Sequence, residues 1–196
     1  MAVVLVDAGG TNIGSVRYAL QRLGVDAALT SDAAAIRAAD KVILPGVGAA
    51  GPGMARLREL GLVGLLRSLS QPVLGVCLGM QLLCAHSEEG DTACLGLIDA
   101  PVRRFAERPG LRVPHMGWNG LSVRREHPLL AGLAEGEQAY FVHSYAVPAG
   151  AWTLASSAYG KPFSAVVARG NFHGMQFHPE RSAAVGAKLL KNFLEL

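Results

Sequence analysis

The stretch Val73-Leu74-Gly75-Val76-Cys77-Leu78-Gly79-Met80-Gln81 decides how this chain folds. An apolar run of strand character ends in Cys77, and the segment from Met80 to His86 reads as a helix. A side chain at such a strand-to-helix corner is thrust out at the top of a sheet. Gly75 and Gly79 flank the cysteine with one residue between on each side; they allow the tight backbone and leave room for a substrate. A helix N-terminus beneath the sulfur favours negative charge, and so favours thiolate over thiol.

Outward from this corner, the first half of the chain alternates strand and helix. Residues 3–6, 27–30, 41–44 and 73–76 are short apolar runs of the kind a strand buried on both faces requires. Between them lie helical stretches. One carries Val16, Ala19, Leu20 and Leu23 on one face and closes at Gly24; another is capped by Asp32 and runs to Ala39; two more lie around 54–60 and 62–69. Repeated βα units of this kind predict a parallel sheet covered by helices on both faces. The second half is different. Residues 102–105, 120–123, 139–142, 152–155, 164–168 and 172–176 read as short strands separated by turn residues, best placed as antiparallel additions to the main sheet. A final amphipathic helix over 182–194 directs Val185, Leu189, Leu190 and Phe193 inward. The fold class expected is therefore α/β: three layers, a flavodoxin-like, mainly parallel sheet with helices on both faces, and antiparallel strands added in the C-terminal half. Residues 1–196 are expected to form one domain, with no repeat, linker or low-complexity segment.

Composition narrows the class of function. The net charge is +3 and 17% of residues are charged, too mild a bias to argue for nucleic acid as a partner. Six arginines fall between Arg103 and Arg125; a solvated face is the plain account, and a docking surface for an acidic partner the sharper one. The three cysteines at 77, 84 and 94 have no paired close spacing, and with no secretory signal they fit a reducing, cytoplasmic setting. Cys84, placed on the helix after the corner, and Cys94, near an apolar run, read as small core residues. No apolar stretch is long enough for a membrane span. The glycine-rich start has its glycines at 9, 10 and 14, the wrong spacing for a dinucleotide fingerprint. Neither a cofactor nor a metal is called for.

About a hundred residues after Cys77 comes Gln176-Phe177-His178-Pro179-Glu180. It supplies what a cysteine nucleophile lacks, an imidazole base and a carboxylate to orient it. In an extended segment alternate side chains share a face, so His178 and Glu180 can both point toward one cavity, and Pro179 stiffens the spacing. The N–H of Leu78 is the natural first donor of an oxyanion hole. The second is expected from the loop Pro45-Gly46-Val47-Gly48, which follows the third strand at the same sheet edge. Gln81, one helical turn after Cys77, faces the same space. Taken alone, a glycine turn or a lone His-Pro-Glu would be ordinary surface structure, and a core or cap role for Gln81 is about as well supported as a substrate contact.

The two motifs together resemble the class I glutamine amidotransferases, with their Cys-His-Glu triad, and the resemblance covers the whole chain. It implies a glutaminase in which Cys77, His178 and Glu180 are catalytic, Val47 and Leu78 frame the oxyanion, and Gly46, Gly48, Gln81, Ser144 and Tyr145 contact glutamine. Three further segments are similar to one branch of that family: the start Asp7-Ala8-Gly9-Gly10-Thr11-Asn12-Ile13-Gly14-Ser15-Val16, Pro114-His115-Met116-Gly117-Trp118-Asn119, and Tyr140-Phe141-Val142-His143-Ser144-Tyr145. Members of that branch pass ammonia to a (β/α)8-barrel cyclase subunit in histidine biosynthesis. The resemblance thus implies a heterodimer, with Asn12, Tyr140 and Arg181 bordering the docking face. The alternatives are the ammonia-supplying subunit of an anthranilate or guanylate synthase, a catalytically silent binding subunit, and a cysteine peptidase on a similar sheet.

Overall fold

The computed structural model describes residues 1–9 and 13–196. Its first half runs β1 (Val3–Val6), α1 (Ile13–Arg22), β2 (Ala28–Thr30), α2 (Ala33–Ala38), β3 (Lys41–Gly46), α3 (Ala50–Glu59), α4 (Leu62–Ser68), β4 (Val73–Cys77) and α5 (Leu78–Leu83). The second half is mostly strand: β5 (Cys84–Ser87), β6 (Thr92–Ala93), β7 (Ile98–Arg104), β8 (His115–Gly120), β9 (Ser122–Val123), β10 (Gln138–His143), β11 (Tyr145–Ala146), β12 (Thr153–Tyr159), β13 (Lys161–Arg169) and β14 (Phe172–Met175). The chain ends in α6 (Ala183–Glu195).

The main sheet has eight strands in the order β2-β1-β3-β4-β14-β13-β12-β9. Strands β2, β1, β3, β4 and β14 are mutually parallel, and β13, β12 and β9 continue the sheet antiparallel. The order is that of a doubly wound sheet, with β14 in the fifth place. Alternation along β1 shows why two helical layers are needed. Val3 and Leu5 belong to the core beneath α1 and α6, whereas Val4 and Val6 belong to the core beneath α2 to α5. All four are buried, so each face of the strand is covered. Asp32 starts α2 as read from sequence, its carboxylate accepting from the amides of Ala34 and Ala35.

Several expectations need correction. The helix after Cys77 stops at Leu83, and Cys84–Ser87 is a strand that pairs with β6 and β7 in a separate small sheet. Cys84 is therefore a buried strand residue, although still a core residue; burial pushes its thiol pKa up. Not all the later strands are antiparallel additions: β14 lies parallel to β4, and β7, β8, β10 and β11 sit outside the main sheet. Pro45 and Gly46 end β3, where Gly46 pairs with Cys77, and do not form a loop.

Glycine explains how the corner closes. A Cβ on Gly79 would lie 1.8 Å from the Leu44 carbonyl oxygen, and one on Gly75 would lie 2.6 Å from the Gly79 backbone. These residues let α5 press onto β3 and β4; room for α5, more than room for a substrate, is what they provide. No helix is long and apolar enough to cross a membrane among the described residues.

Candidate active site

The C-terminal ends of β3, β4 and β14 lie side by side, which is where a parallel sheet of this order presents ligands. Cys77 ends β4 with φ 53° and ψ −111°, a conformation L-residues rarely adopt. That strain aims the thiol outward, and the surrounding sheet and α5 over-determine it.

Three residues beyond β14, His178 begins the turn Pro179–Arg181, a 3₁₀ turn and not extended chain. The turn brings His178 Nδ1 to 2.9 Å from Glu180 Oε1, so the meeting of ring and carboxylate is made by a tight turn and not by strand alternation. The segment is pinned from both sides. His178 N–H donates to the Tyr140 carbonyl at 2.9 Å, and the Ser182 hydroxyl donates to the His178 carbonyl at 2.7 Å. With Nδ1 on the carboxylate, Nε2 is the nitrogen left for the sulfur. Burial alone would lower the His178 pKa. Hydrogen bonds with Cys77 and Glu180 and the charges of both reverse that effect and raise it to about 10.

A cavity of about 330 Å³ opens over the thiol, bordered by Val47, Gly48, Leu78, Gln81, Ser144, Tyr145 and His178. Most of the site residues expected from sequence gather here, but Glu180, which backs His178, and Tyr140 and Arg181 are not among its walls. Gly46 does not border the cavity; its missing side chain lets Gly79 N approach a would-be Cβ to 2.8 Å, a packing contact. Asn12 lies outside the described residues. Gly48 has φ +97°, a conformation that favours glycine, and it sets the turn that carries Val47 along the rim.

Sequence reading did not single out Glu89, His143 or Gln176. Glu89 borders the cavity while one of its oxygens accepts from Ala50 N–H at 2.8 Å. It lies in a polar turn that reads as ordinary surface, so no local signal marks it. His143 and Gln176 sit inside the quoted motifs, where their neighbours Ser144, Tyr145 and His178 carry the more obvious chemistry. His143 Nδ1 lies 2.8 Å from the Tyr145 carbonyl, which can only accept, so Nδ1 carries the proton. Nε2 then accepts from His115 Nδ1 at 3.0 Å, and His115 Nε2 accepts from Asn119 at 3.3 Å. Both rings are held neutral. Burial lowers the pKa of His143 to about 3 and that of His115 to about 4; the His115 ring is stacked between Phe141 and Tyr159.

Beside the triad, the Arg181 guanidinium sits 4.4 Å from the centroid of the Tyr140 ring, and Trp118 meets the same ring edge-on at 5.9 Å. Trp118 and Met116, both on β8, are exposed. The arginines from Arg103 to Arg125 do not form one face. Arg103, Arg104 and Arg108 border a separate cavity, while Arg124 and Arg125 bond Ser156 Oγ and the Ala151 carbonyl. Among the described residues no group of three or more His, Cys, Asp or Glu side chains could hold a metal ion.

Comparison with known proteins places this geometry. The sequence profile of the family described as glutamine amidotransferase class-I matches residues 4–196. The imidazole glycerol phosphate synthase subunit HisH of Xanthomonas euvesicatoria pv. vesicatoria is 59% identical over 194 residues, 99% of this chain and 97% of that protein. The HisH subunit of Xylella fastidiosa (strain Temecula1) is 57% identical over the same shares of the two chains. Among solved structures, a glutamine amidotransferase superimposes with TM-score 0.77 at 23% identity, covering 100% of this chain and 98% of that one. PurLQS from Thermotoga maritima does so with TM-score 0.72 at 19% identity, covering 99% and 97%. These structural likenesses concern the fold. The full-length match and the cysteine corner facing His-Pro-Glu agree, and the chain belongs to the class-I glutamine amidotransferase family.

Proposed function

We propose that this chain is the glutaminase subunit of imidazole glycerol phosphate synthase, which cleaves glutamine to glutamate and ammonia. The observation that carries the reading is the convergence of Cys77, His178 and Glu180 at one sheet edge, in a chain 59% identical along its length to a HisH subunit. The Cys77 thiolate attacks the side-chain amide carbon of glutamine, and the carbonyl electrons move onto oxygen. The N–H groups of Leu78 and Val47 receive that oxyanion. As the intermediate collapses, the C–N bond breaks and the His178 imidazolium gives its proton to the departing nitrogen, which leaves as ammonia. Neutral His178 then takes a proton from water. The hydroxide formed attacks the thioester, the C–S bond breaks, and glutamate and the thiolate are released. Glu180 holds Nδ1 throughout, so that the ring stays aimed at the sulfur.

A free amino acid brings an ammonium and a carboxylate with it, and the cavity should meet both. The Glu89 carboxylate on its wall suits the ammonium; Gln81, Ser144, Tyr145 and Gly48 line the remainder. Gly46 supports this wall from behind.

Ammonia set free in neutral water is mostly protonated and loses its nucleophilicity. A partner that covers the site and consumes the ammonia answers that difficulty, and a (β/α)8-barrel cyclase subunit is the partner proposed. Exposed Trp118 and Met116, with the Tyr140–Arg181 pair beside the triad, offer it an apolar and cationic patch; Asn12 belongs to the same proposal from its place in the sequence. A reducing cytoplasm suits the free thiols. The test is a synthase assay with the cyclase partner and its nucleotide. Cys77→Ala should abolish product formation from glutamine yet leave formation from added ammonia. Glutamine-dependent synthesis that survives Cys77→Ala, or no synthesis by the wild-type pair, would overturn the reading.

A further inference from the structure

The buried face of the site holds a polar chain that the reaction above does not use. Gln176 is fully buried, and its side-chain nitrogen lies 3.9 Å from Cys77 Sγ, at the outer reach of an N–H···S contact. Its side-chain oxygen accepts from Gln81 at 3.0 Å, and Gln81 also donates to the Tyr145 carbonyl at 2.9 Å. The direction of every bond follows from that one carbonyl. A carbonyl cannot donate, so Gln81 must present its NH₂ group. The second N–H of Gln81 then meets Gln176, which must present oxygen. Gln176 is left with its NH₂ aimed at the sulfur. The same carbonyl is held by His143 Nδ1–H at 2.8 Å, so the anchor is fixed from two sides.

We infer that Gln176 is a positioning residue for the nucleophile: it donates an N–H to the Cys77 sulfur, which favours thiolate and holds the side chain over the substrate cavity. The inference rests on Cys77 being the nucleophile. A thiol has less need of this donor, since it carries its own hydrogen and the Val142 carbonyl lies 4.0 Å away. A thiolate has no hydrogen, is a stronger acceptor, and gains from the contact. Gln176 supplies the donor without a second charge, and its amide cannot turn over while Tyr145 and Gln81 hold it. The titratable groups that share the cavity with the sulfur are His178, backed by Glu180, from the turn after β14, His143 from β10, Tyr145 from β11, and Glu89 from the turn after β5. Of these, His178 is the one that exchanges protons with the sulfur, so the effect of Gln176 is read as a displacement on top of that pair.

The experiment is alkylation of Cys77 by iodoacetamide as a function of pH, in wild type, Gln176→Glu and Gln176→Met, with glutaminase turnover measured alongside. Gln176→Glu keeps the shape and the acceptor for Gln81 but turns an oxygen toward the sulfur. It should slow alkylation near neutral pH by about tenfold or more and move the profile to higher pH. Gln176→Met removes the donor without adding a charge and should move the profile the same way by less. In both, kcat should fall more than KM rises. Should neither variant fold, the wild-type side-chain amide proton signal of Gln176 still reports. It should shift with the midpoint of the alkylation profile and cease to do so in Cys77→Ala; a signal that ignores pH overturns the inference. Folded variants with the wild-type profile also overturn it. Turnover retained in Cys77→Ser would instead remove Cys77 as nucleophile, a separate failure.

Discussion

Gly186→Ala is a change of one methyl group, placed on α6 and outside the lining of the cavity, that should disable the enzyme. A Cβ at this position would lie 1.8 Å from the Pro179 carbonyl oxygen and 2.7 Å from the carbon that bears it. Carbon–oxygen contacts below about 3.2 Å are strongly repulsive, so helix and turn must part by about 1.4 Å. Pro179 is the residue between His178 and Glu180, and the turn cannot yield freely. It is tied to β10 through His178 N–H on the Tyr140 carbonyl, and through Tyr140 N–H on the Ser182 hydroxyl at 2.9 Å. If the turn moves, those bonds and the His178–Glu180 contact are lost. If α6 moves, Leu189, Leu190 and Phe193 lift from the core. A displacement of about 1 Å in a catalytic group can cost about 10²-fold, and overpacking of this kind costs about 1–3 kcal/mol. The expected result is a drop of about a hundredfold in glutaminase kcat/KM together with a lower unfolding midpoint. Gly64→Ala is the control: it lies on α4 with open space where its Cβ would stand, and should stabilise by about 0.5–1 kcal/mol without touching turnover. A Gly186→Ala enzyme with wild-type kcat/KM and unfolding midpoint would refute the argument that α6 positions the base.

Glu89→Gln should raise KM for glutamine by about tenfold or more while leaving kcat within a fewfold, because it removes the charge offered to the substrate ammonium; steady-state kinetics decide this. Asp32→Ala removes a cap that accepts from two amides and should cost about 1 kcal/mol in urea unfolding with turnover unchanged. Stability should pass through a maximum near pH 6.5. His115, His143 and His173 have pKa values lowered by burial to about 4, 3 and 4, so their contribution is complete above about 6.5 and is lost as pH falls toward those values. His178, raised to about 10 despite its burial, contributes fully below about 6.5, and its share is lost as pH rises toward 10. Urea unfolding at about pH 5, 6.5 and 9 measures both slopes; equal stability at all three would contradict the assignment.

The residues proposed to react stood out in the sequence because such chemistry demands unusual local patterns. A nucleophile at a strained corner needs glycines on both sides, and a base with its own carboxylate can be written in three consecutive residues. What the glycines do was less legible. Gly75 and Gly79 serve the contact between α5 and the sheet, a long-range fact that no local pattern carries. The run Leu82-Leu83-Cys84-Ala85 is apolar throughout and suits helix or strand equally. Pairing of Cys84–Ser87 with β7 settles it as strand, and that partner lies more than ten residues away. The direction of β14 was hidden for the same reason: Phe172–Met175 reads alike whether it runs parallel or antiparallel, and only its insertion between β4 and β13 decides. Glu89 was invisible because its position depends on Ala50 N–H, thirty-nine residues earlier in the chain.

The site sorts its histidines by partner, not by depth. His143, His115 and His178 are all buried, and two of the three line one cavity, yet their pKa values run to about 3, about 4 and about 10. Burial lowers every one of them. Only His178 has acidic side chains as partners, Glu180 at Nδ1 and Cys77 beside it; His143 has a carbonyl and a neutral ring, and His115 a ring and an amide. A neutral His143 is also what the geometry requires. Protonated, it could no longer accept from His115 Nδ1, and a second positive charge near His178 would draw the thiolate away from its proton partner. In the proposed reaction, a neutral wall confines the mobile proton to the Cys77–His178 pair, where both steps of amide cleavage need it.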